Sequence, residues 1–310
     1  MKFLTLYNKS HLLSASNVRR TYILLLFSLT IILITAISCS QAEEETQNNS
    51  SQNLRMTFAV TDFSIGNNRI AFAILDPQTG VIFPKSLEVS TYYLDSENPN
   101  DKIQTLETQL REWPNGKGVY TAEAEFSKTG KWGIGINLFY NDEYHKIATS
   151  IIVPEKSQTP FIGSKAPMVE TKTSTSINTV SDITSAQEPY MPLYKTSLKE
   201  SLESQMPTVI LFATPAFCKT GTCGPQLDVI KDLSNEWSNK LNFIHSEIYS
   251  NPNEIKGDLS NAKISEAAKE WNLPSEPWTF VINESGVIIS KFEGFATKEE
   301  IEESIKTILN

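Results

Sequence analysis

The chain has 310 residues, of which 40% are hydrophobic and 20% charged, and 27 Lys and Arg stand against 36 Asp and Glu for a net charge of −9. This length and composition fit a mostly globular protein of two ordinary domains plus tails. The acidic balance gives no footing for nucleic acid, and no glycine-rich phosphate cradle is present.

Lys2, Lys9, Arg19 and Arg20 precede the first acidic residue, and Tyr22 to Ile37 is then apolar apart from Ser28, Thr30 and Thr35. A basic start, an apolar run and small residues at its exit outline a secretion signal. Ala36-Ile37-Ser38-Cys39 resembles a bacterial lipobox, which implies that residues 1–39 direct export and that Cys39 is lipidated after cleavage. An uncleaved signal anchor is the alternative, because the apolar run approaches the ~17 residues at the short end for spanning a bilayer. Both place the rest of the chain on the extracytoplasmic side, in the periplasm or at the cell surface, held to the membrane by a lipid or signal anchor. Residues 40–53, rich in Glu, Gln, Asn and Ser without apolar periodicity, read as a flexible tether.

From residue 54 to 154 the pattern turns to β. Six short, alternating or β-branched runs begin near Met56, Arg69, Leu87, Gly118, Lys131 and His145, separated by Asn, Asp, Gly and Pro turns. Six or seven strands in about a hundred residues argue for a small all-β sandwich. Ser127-Lys-Thr-Gly130-Lys is a tight-hairpin signal, with Phe126 and Trp132 as core aromatics on either side. The segment is similar to immunoglobulin-like domains of exported proteins. Residues 155–193 are rich in Ser, Thr and Pro, with little apolar content apart from Phe161-Ile162 and Met168-Val169, and read as a linker partly extended over a surface.

Residues 194–310 form the second expected domain. Ser197 to Gln205 suits a short helix, and Val209 to Phe212 a buried strand. A breaker-rich turn follows, and then a helical pattern with Leu227, Ile230, Leu233 and Trp237 on one face. Cys218 and Cys223 sit at this handover, where unpaired N–H groups and the helix dipole lower a thiol's pKa. Leu241 to Tyr249 is a further strand candidate, Ile264 to Trp271 a helix, and Phe280-Val-Ile and Val287-Ile-Ile-Ser a hairpin around Asn283 to Gly286. Strands alternating with helices suit a central sheet covered on both faces.

The order of these parts resembles the thioredoxin-like superfamily over roughly the last third of the chain. Cys218 stands at the nucleophile position, and Pro225-Gln-Leu-Asp-Val-Ile continues as that family's first active-site helix does. Ser275-Glu-Pro277-Trp-Thr-Phe-Val-Ile resembles its cis-proline strand, and Gly294 and the closing helix from Lys298 to Leu309 complete the likeness. The resemblance implies a thioredoxin-like α/β fold, thiol–disulfide exchange through a Cys218/Cys223 pair on the thiols and disulfides of exported proteins, a site role for Pro277, and no cofactor. Two features depart from the family pattern: the cysteines are spaced C-x4-C in place of C-x2-C, and apolar Leu211 stands where thioredoxins hold a buried acid.

Geometry constrains such a pair. Residues five apart in a regular helix have Cα atoms about 8 to 9 Å apart, whereas a disulfide needs roughly 4.4 to 6.8 Å. If Cys218 and Cys223 bond, residues 219–222 cannot all be helix, and Gly221 is the residue that lets the chain loop back. Three readings of the pair stand open: reversible exchange, a local staple, and metal capture with His245 as in copper-handling relatives of the fold. His245 is also readable as an ordinary strand histidine. Glu276 and Lys219 are charges able to move a thiol pKa in opposite senses. A peroxidase is disfavoured because the five arginines, Arg19, Arg20, Arg55, Arg69 and Arg111, all lie outside the second domain. A non-catalytic binding module on the same scaffold is the alternative from another class.

Overall fold

The computed structural model describes residues 54–113 and 116–309, so the expected signal, Cys39 and the tether lie outside the described residues. The described residues fall within one compact unit, and among them no helix is long and apolar enough to cross a membrane.

Two antiparallel sheets enclose the first core. One joins β1 (Arg55–Phe58), β2 (Gly66–Asp76), β7 (Lys117–Phe126) and β6 (Thr108–Trp113) in that order, with β3 (Gly80–Ile82) on β2. The other runs β5 (Lys102–Leu106), β4 (Ser86–Tyr93), β8 (Gly130–Tyr140) and β9 (Glu143–Val153). Their inward residues, among them Ile70, Phe72 and Ile74 of β2 and Ile134 and Ile136 of β8, share one cluster. Phe126 and Trp132 meet edge to face across the hairpin, ring centroids 5.1 Å apart, as their flanking positions predict. Strands β3, β5 and β6 exceed the sequence expectation. The last two are largely exposed and mix polar with apolar residues, so they carry little alternation to read.

The α/β part is built on a mixed four-stranded sheet ordered β11 (Asn242–Glu247), β10 (Thr208–Ala213), β12 (Trp278–Ile282), β13 (Ile288–Glu293). β10 runs parallel to β11 and antiparallel to β12, and β12 antiparallel to β13. All six residues of β10 are buried, and they alternate between two cores. Val209, Leu211 and Ala213 pack with Leu227, Ile230 and Leu233 of one helix and Ile301 and Ile305 of another. Ile210 and Phe212 face Leu198, Ala267, Ala268 and Trp271 on the other side. The helices are α1 (Leu198–Glu203), α2 (Cys223–Trp237), α3 (Pro252–Ile255), α4 (Glu266–Glu270) and α5 (Lys298–Leu309). Helix α1 starts at a reciprocal capping box, Ser197 with Glu200, which satisfies two otherwise orphaned N–H groups.

The stretch between the two parts is laid down on the α/β sheet. Gly163 N–H donates to Ile288 O (2.8 Å), Ile288 N–H to Ser164 O (2.9 Å) and Ala166 N–H to Gly286 O (2.9 Å), so this segment follows the free side of β13. Val169 then enters one core, and Ile183 and Leu193 the other.

A polar network joins the all-β part to the sheet. The Asp62 carboxylate accepts from Ser157, Thr159 and the Lys291 ammonium, 3.0 Å away. Burial alone would raise Asp62, but these partners outweigh it and hold it below the usual carboxylate range. Glu293 of β13 accepts from Thr61 N–H (2.6 Å), Thr61 Oγ1 (2.8 Å), Asp62 N–H (3.1 Å) and Ser275 Oγ (2.7 Å). Arg69 of β2 pairs with Glu300 of α5 at 2.9 Å.

Candidate functional site

Strand β10 delivers the chain to a turn in which Phe217 N–H donates to Thr214 O, and Cys218 follows just ahead of helix α2. Cys223 is that helix's first residue. The two are disulfide-bonded with Cα atoms 6.0 Å apart, inside the range that a bridge tolerates and well short of the separation in a regular helix. Residues 219–222 are therefore a loop, and Gly221 turns it at φ +70°. A Cβ at Gly221 would meet no atom within 4 Å, so only the backbone conformation opposes a side chain there. Gly221→Ala should cost about 1 kcal/mol by denaturant unfolding; unchanged stability would show that the loop does not need the left-handed turn.

The two sulfurs differ in access. Cys218 is half-buried and Cys223 fully buried. Cys223 N–H donates to Cys218 Sγ at 3.3 Å, and Thr220 Oγ1 lies 3.2 Å from the same sulfur and 2.7 Å from Thr222 Oγ1. No side chain caps α2, so Cys218 Sγ takes up the first N–H of the helix. A thiolate on Cys218 would be stabilised by that N–H, by the helix dipole and by the hydroxyl. Lys219 is exposed.

Glu276 and Pro277 approach from the loop ahead of β12. Their peptide bond is cis. A carboxylate oxygen of Glu276 lies within 4.8 Å of both sulfurs, and its Oε2 is buried without a hydrogen-bond partner among the described residues. Burial, and next the charge of Glu247, push Glu276 up to about 7. Glu247 ends β11 and is itself pushed up to about 7 by burial. It accepts from Ser185 N–H (2.8 Å) and Ser185 Oγ, and the same hydroxyl oxygen accepts Ala216 N–H at 3.1 Å, two residues before Cys218. Both carboxyl groups bind their proton more tightly when folded. The stability this represents is complete below the ordinary glutamate range and is lost as pH rises through about 7.

His245 is not brought to the cysteines. Its Nε2 lies 3.0 Å from Ala213 O, a pure acceptor, so Nε2 carries the hydrogen, and Nδ1 accepts from Tyr194 Oη at 2.6 Å. Burial lowers its pKa to about 4 and raises that of Tyr194. With both ring nitrogens engaged, His245 is a core residue that fixes the end of β10 and is no ligand to the pair; the group that could complete a metal site with the two sulfurs is Glu276. Glu247 and Ser185 are the site residues that sequence reasoning missed. The one available signal was an acid inside the strand candidate from Leu241 to Tyr249, between Ser246 and Ile248.

A groove of about 370 Å³ opens beside the turn, lined by Val180, Ser185, Ala186, Pro189, Phe217 and Pro252 among others, none of them charged. A second cleft of about 1970 Å³ lies where the all-β part meets β13 and α5, and it touches neither cysteine.

No protein-family model matches the chain, and no curated protein does. Among solved structures, one assigned as a thiol:disulfide interchange protein DsbE from Chlorobium tepidum is similar at 13% identity and a TM-score of 0.36, covering 49% of this chain and 100% of that one. The Lin-41 filamin domain is similar at 13% identity and a TM-score of 0.23, over 34% of this chain and 95% of that one. A DUF4426 family protein from Pseudomonas aeruginosa PAO1 is similar at 11% identity and a TM-score of 0.24, over 33% and 92%. All three are distant likenesses, and none fixes a family.

Proposed function

We propose that this is an extracytoplasmic, membrane-anchored thiol–disulfide oxidoreductase with a thioredoxin-like C-terminal part. The observation that carries the reading is the asymmetric Cys218–Cys223 disulfide at the mouth of α2, one sulfur half-open and the other buried. In the reduced protein the Cys218 thiolate attacks one sulfur of a partner disulfide. The partner's S–S bond breaks, one partner sulfur leaves as a thiol, and a mixed disulfide forms. Cys223 loses its proton and attacks Cys218 sulfur, releasing the second partner thiol, so two electrons pass to the partner and the pair is left oxidised. The same steps run backwards when the partner is the stronger reductant.

Pro277, next to the Glu276 that flanks the pair, and the uncharged groove beside Phe217 support a polypeptide as partner, its chain laid along the turn. Export and anchoring rest on the basic and apolar stretches of residues 1–39 and on Cys39 as the lipidated residue, with residues 40–53 as tether. The all-β part is proposed to be immunoglobulin-like, supported by its two antiparallel sheets around a single core.

A redox titration tests the reading. Equilibrated against dithiol buffers and trapped with a thiol-specific mass tag, the pair should interconvert reversibly at a potential above roughly −300 mV, the region below which structural bridges lie. A pair that stays oxidised throughout that window would make the bond a staple and overturn the assignment.

A further inference from the structure

We propose that Glu276 is the proton acceptor for Cys223 in the resolving step, with Glu247 as a residue whose charge acts on it. The proposal deepens the exchange reading and rests on it.

The need arises from burial. Cys223 is fully buried, so its thiol has no direct route to bulk water when it must ionise. Strand β10, which leads into the site, offers no acid over Thr208–Ala213. The carboxylate in reach comes from another element: a Glu276 oxygen stands within 4.8 Å of both sulfurs, and although the Thr214 backbone bonds the carboxylate, Oε2 is buried without a partner among the described residues. A buried acceptor without a donor is costly, and a thiol hydrogen would relieve it.

The groups facing Glu276 are Cys218 and Cys223, the Thr214 backbone, Glu247 at the end of β11 and Tyr249 two residues beyond it, while Lys172 acts on Glu247. Burial raises both carboxyl groups, and the charge of Glu247 raises Glu276 further, so the protonation of Glu276 depends on that of Glu247. Ser185 holds Glu247 through its N–H and hydroxyl, whereas Glu276 keeps its Oε2 without a hydrogen-bond partner among the described residues. In the resolving step the Cys223 S–H bond breaks and the proton passes to the Glu276 carboxylate. The Cys223 sulfur then bonds to Cys218 sulfur as the Cys218–partner bond breaks, and the departing partner thiolate is protonated by Glu276 or by water. In the reverse direction Glu276 returns the proton to Cys223 as the disulfide opens.

The test uses the full reduced chain, loaded at Cys218 with a chromogenic aromatic disulfide, and follows release of the aromatic thiol by absorbance between about pH 5 and pH 9. In the wild-type protein release should accelerate through an inflection near pH 7. Glu276→Gln should abolish that inflection and slow release at neutral pH by about 10²-fold, the low end for general acid–base catalysis. Glu247→Gln, which removes the charge that raises Glu276, should move the inflection towards the ordinary carboxylate range. Glu276→Asp should retain an inflection at a shifted pH, which keeps the test decisive if the glutamine variant fails to fold. An unchanged profile in Glu276→Gln, or an unmoved inflection in Glu276→Asp, would overturn the proposal while leaving exchange intact. No release from the wild-type protein would overturn the exchange reading and this inference with it.

Discussion

Cys218→Ser should abolish exchange, lowering the rate constant by on the order of 10³-fold or more, the scale seen when a nucleophile is deleted. Cys223→Ser should instead keep the first attack and stop there, accumulating a mixed disulfide visible on a non-reducing gel. The difference follows from access. Cys218 is half-exposed and receives both a helix-terminal N–H and a hydroxyl, whereas Cys223 is sealed beneath the turn and can reach only Cys218. Either substitution removes a short-loop bridge and should cost about 2 kcal/mol of stability in the chain-entropy account. That common loss cannot explain opposite kinetic outcomes. If instead Cys223→Ser reacts as completely as the wild type while Cys218→Ser accumulates the adduct, the roles of the two sulfurs are reversed.

Glu293→Ala should destabilise the protein by about 3 kcal/mol or more, since it strands several partly buried neutral donors at about 1 to 3 kcal/mol each. Thr61 N–H, Thr61 Oγ1, Asp62 N–H and Ser275 Oγ would all lose their acceptor. Ser275 also accepts from Trp278 Nε1 at 3.0 Å and precedes Glu276, so the loss should slow exchange as well as weaken the fold. Ser275→Ala, which leaves the three bonds from Thr61 and Asp62 in place, should cost nearer ~1 kcal/mol. Urea unfolding followed by tryptophan fluorescence separates the two. A Glu293→Ala protein within about 1 kcal/mol of the wild type would show that the network contributes little beyond solvation.

What could be read from the chain was whatever is local. The apolar run at Val209–Phe212, the 3.6-residue spacing of Leu227, Ile230 and Leu233, and the hairpin at Gly130 each carry their own period or turn residue, and each appears where it is expected. Gly221 announced the loop because only a glycine turns there cheaply. The exposed strands β5 and β6 had no such signature. The acids at the site were harder still. Glu247 depends on Ser185, 62 positions earlier, and Glu293 on Thr61, 232 positions away, and neither partner carries any local mark of the pairing. Residues 155–193 looked like a spacer because their few apolar residues are scattered, yet Val169, Ile183 and Leu193 each find a separate buried position once the sheet exists to receive them.

The segment lying along β13 has a bearing on self-association. A sheet's outermost strand ordinarily presents unpaired amides that recruit a second copy, the first step towards domain exchange or fibrils. Here the run from Gly163 to Ala166 already takes up the outward N–H and C=O of Ile288 and the carbonyl of Gly286, so the chain acts as its own blocking strand at the start of β13, where a second copy would otherwise begin to pair.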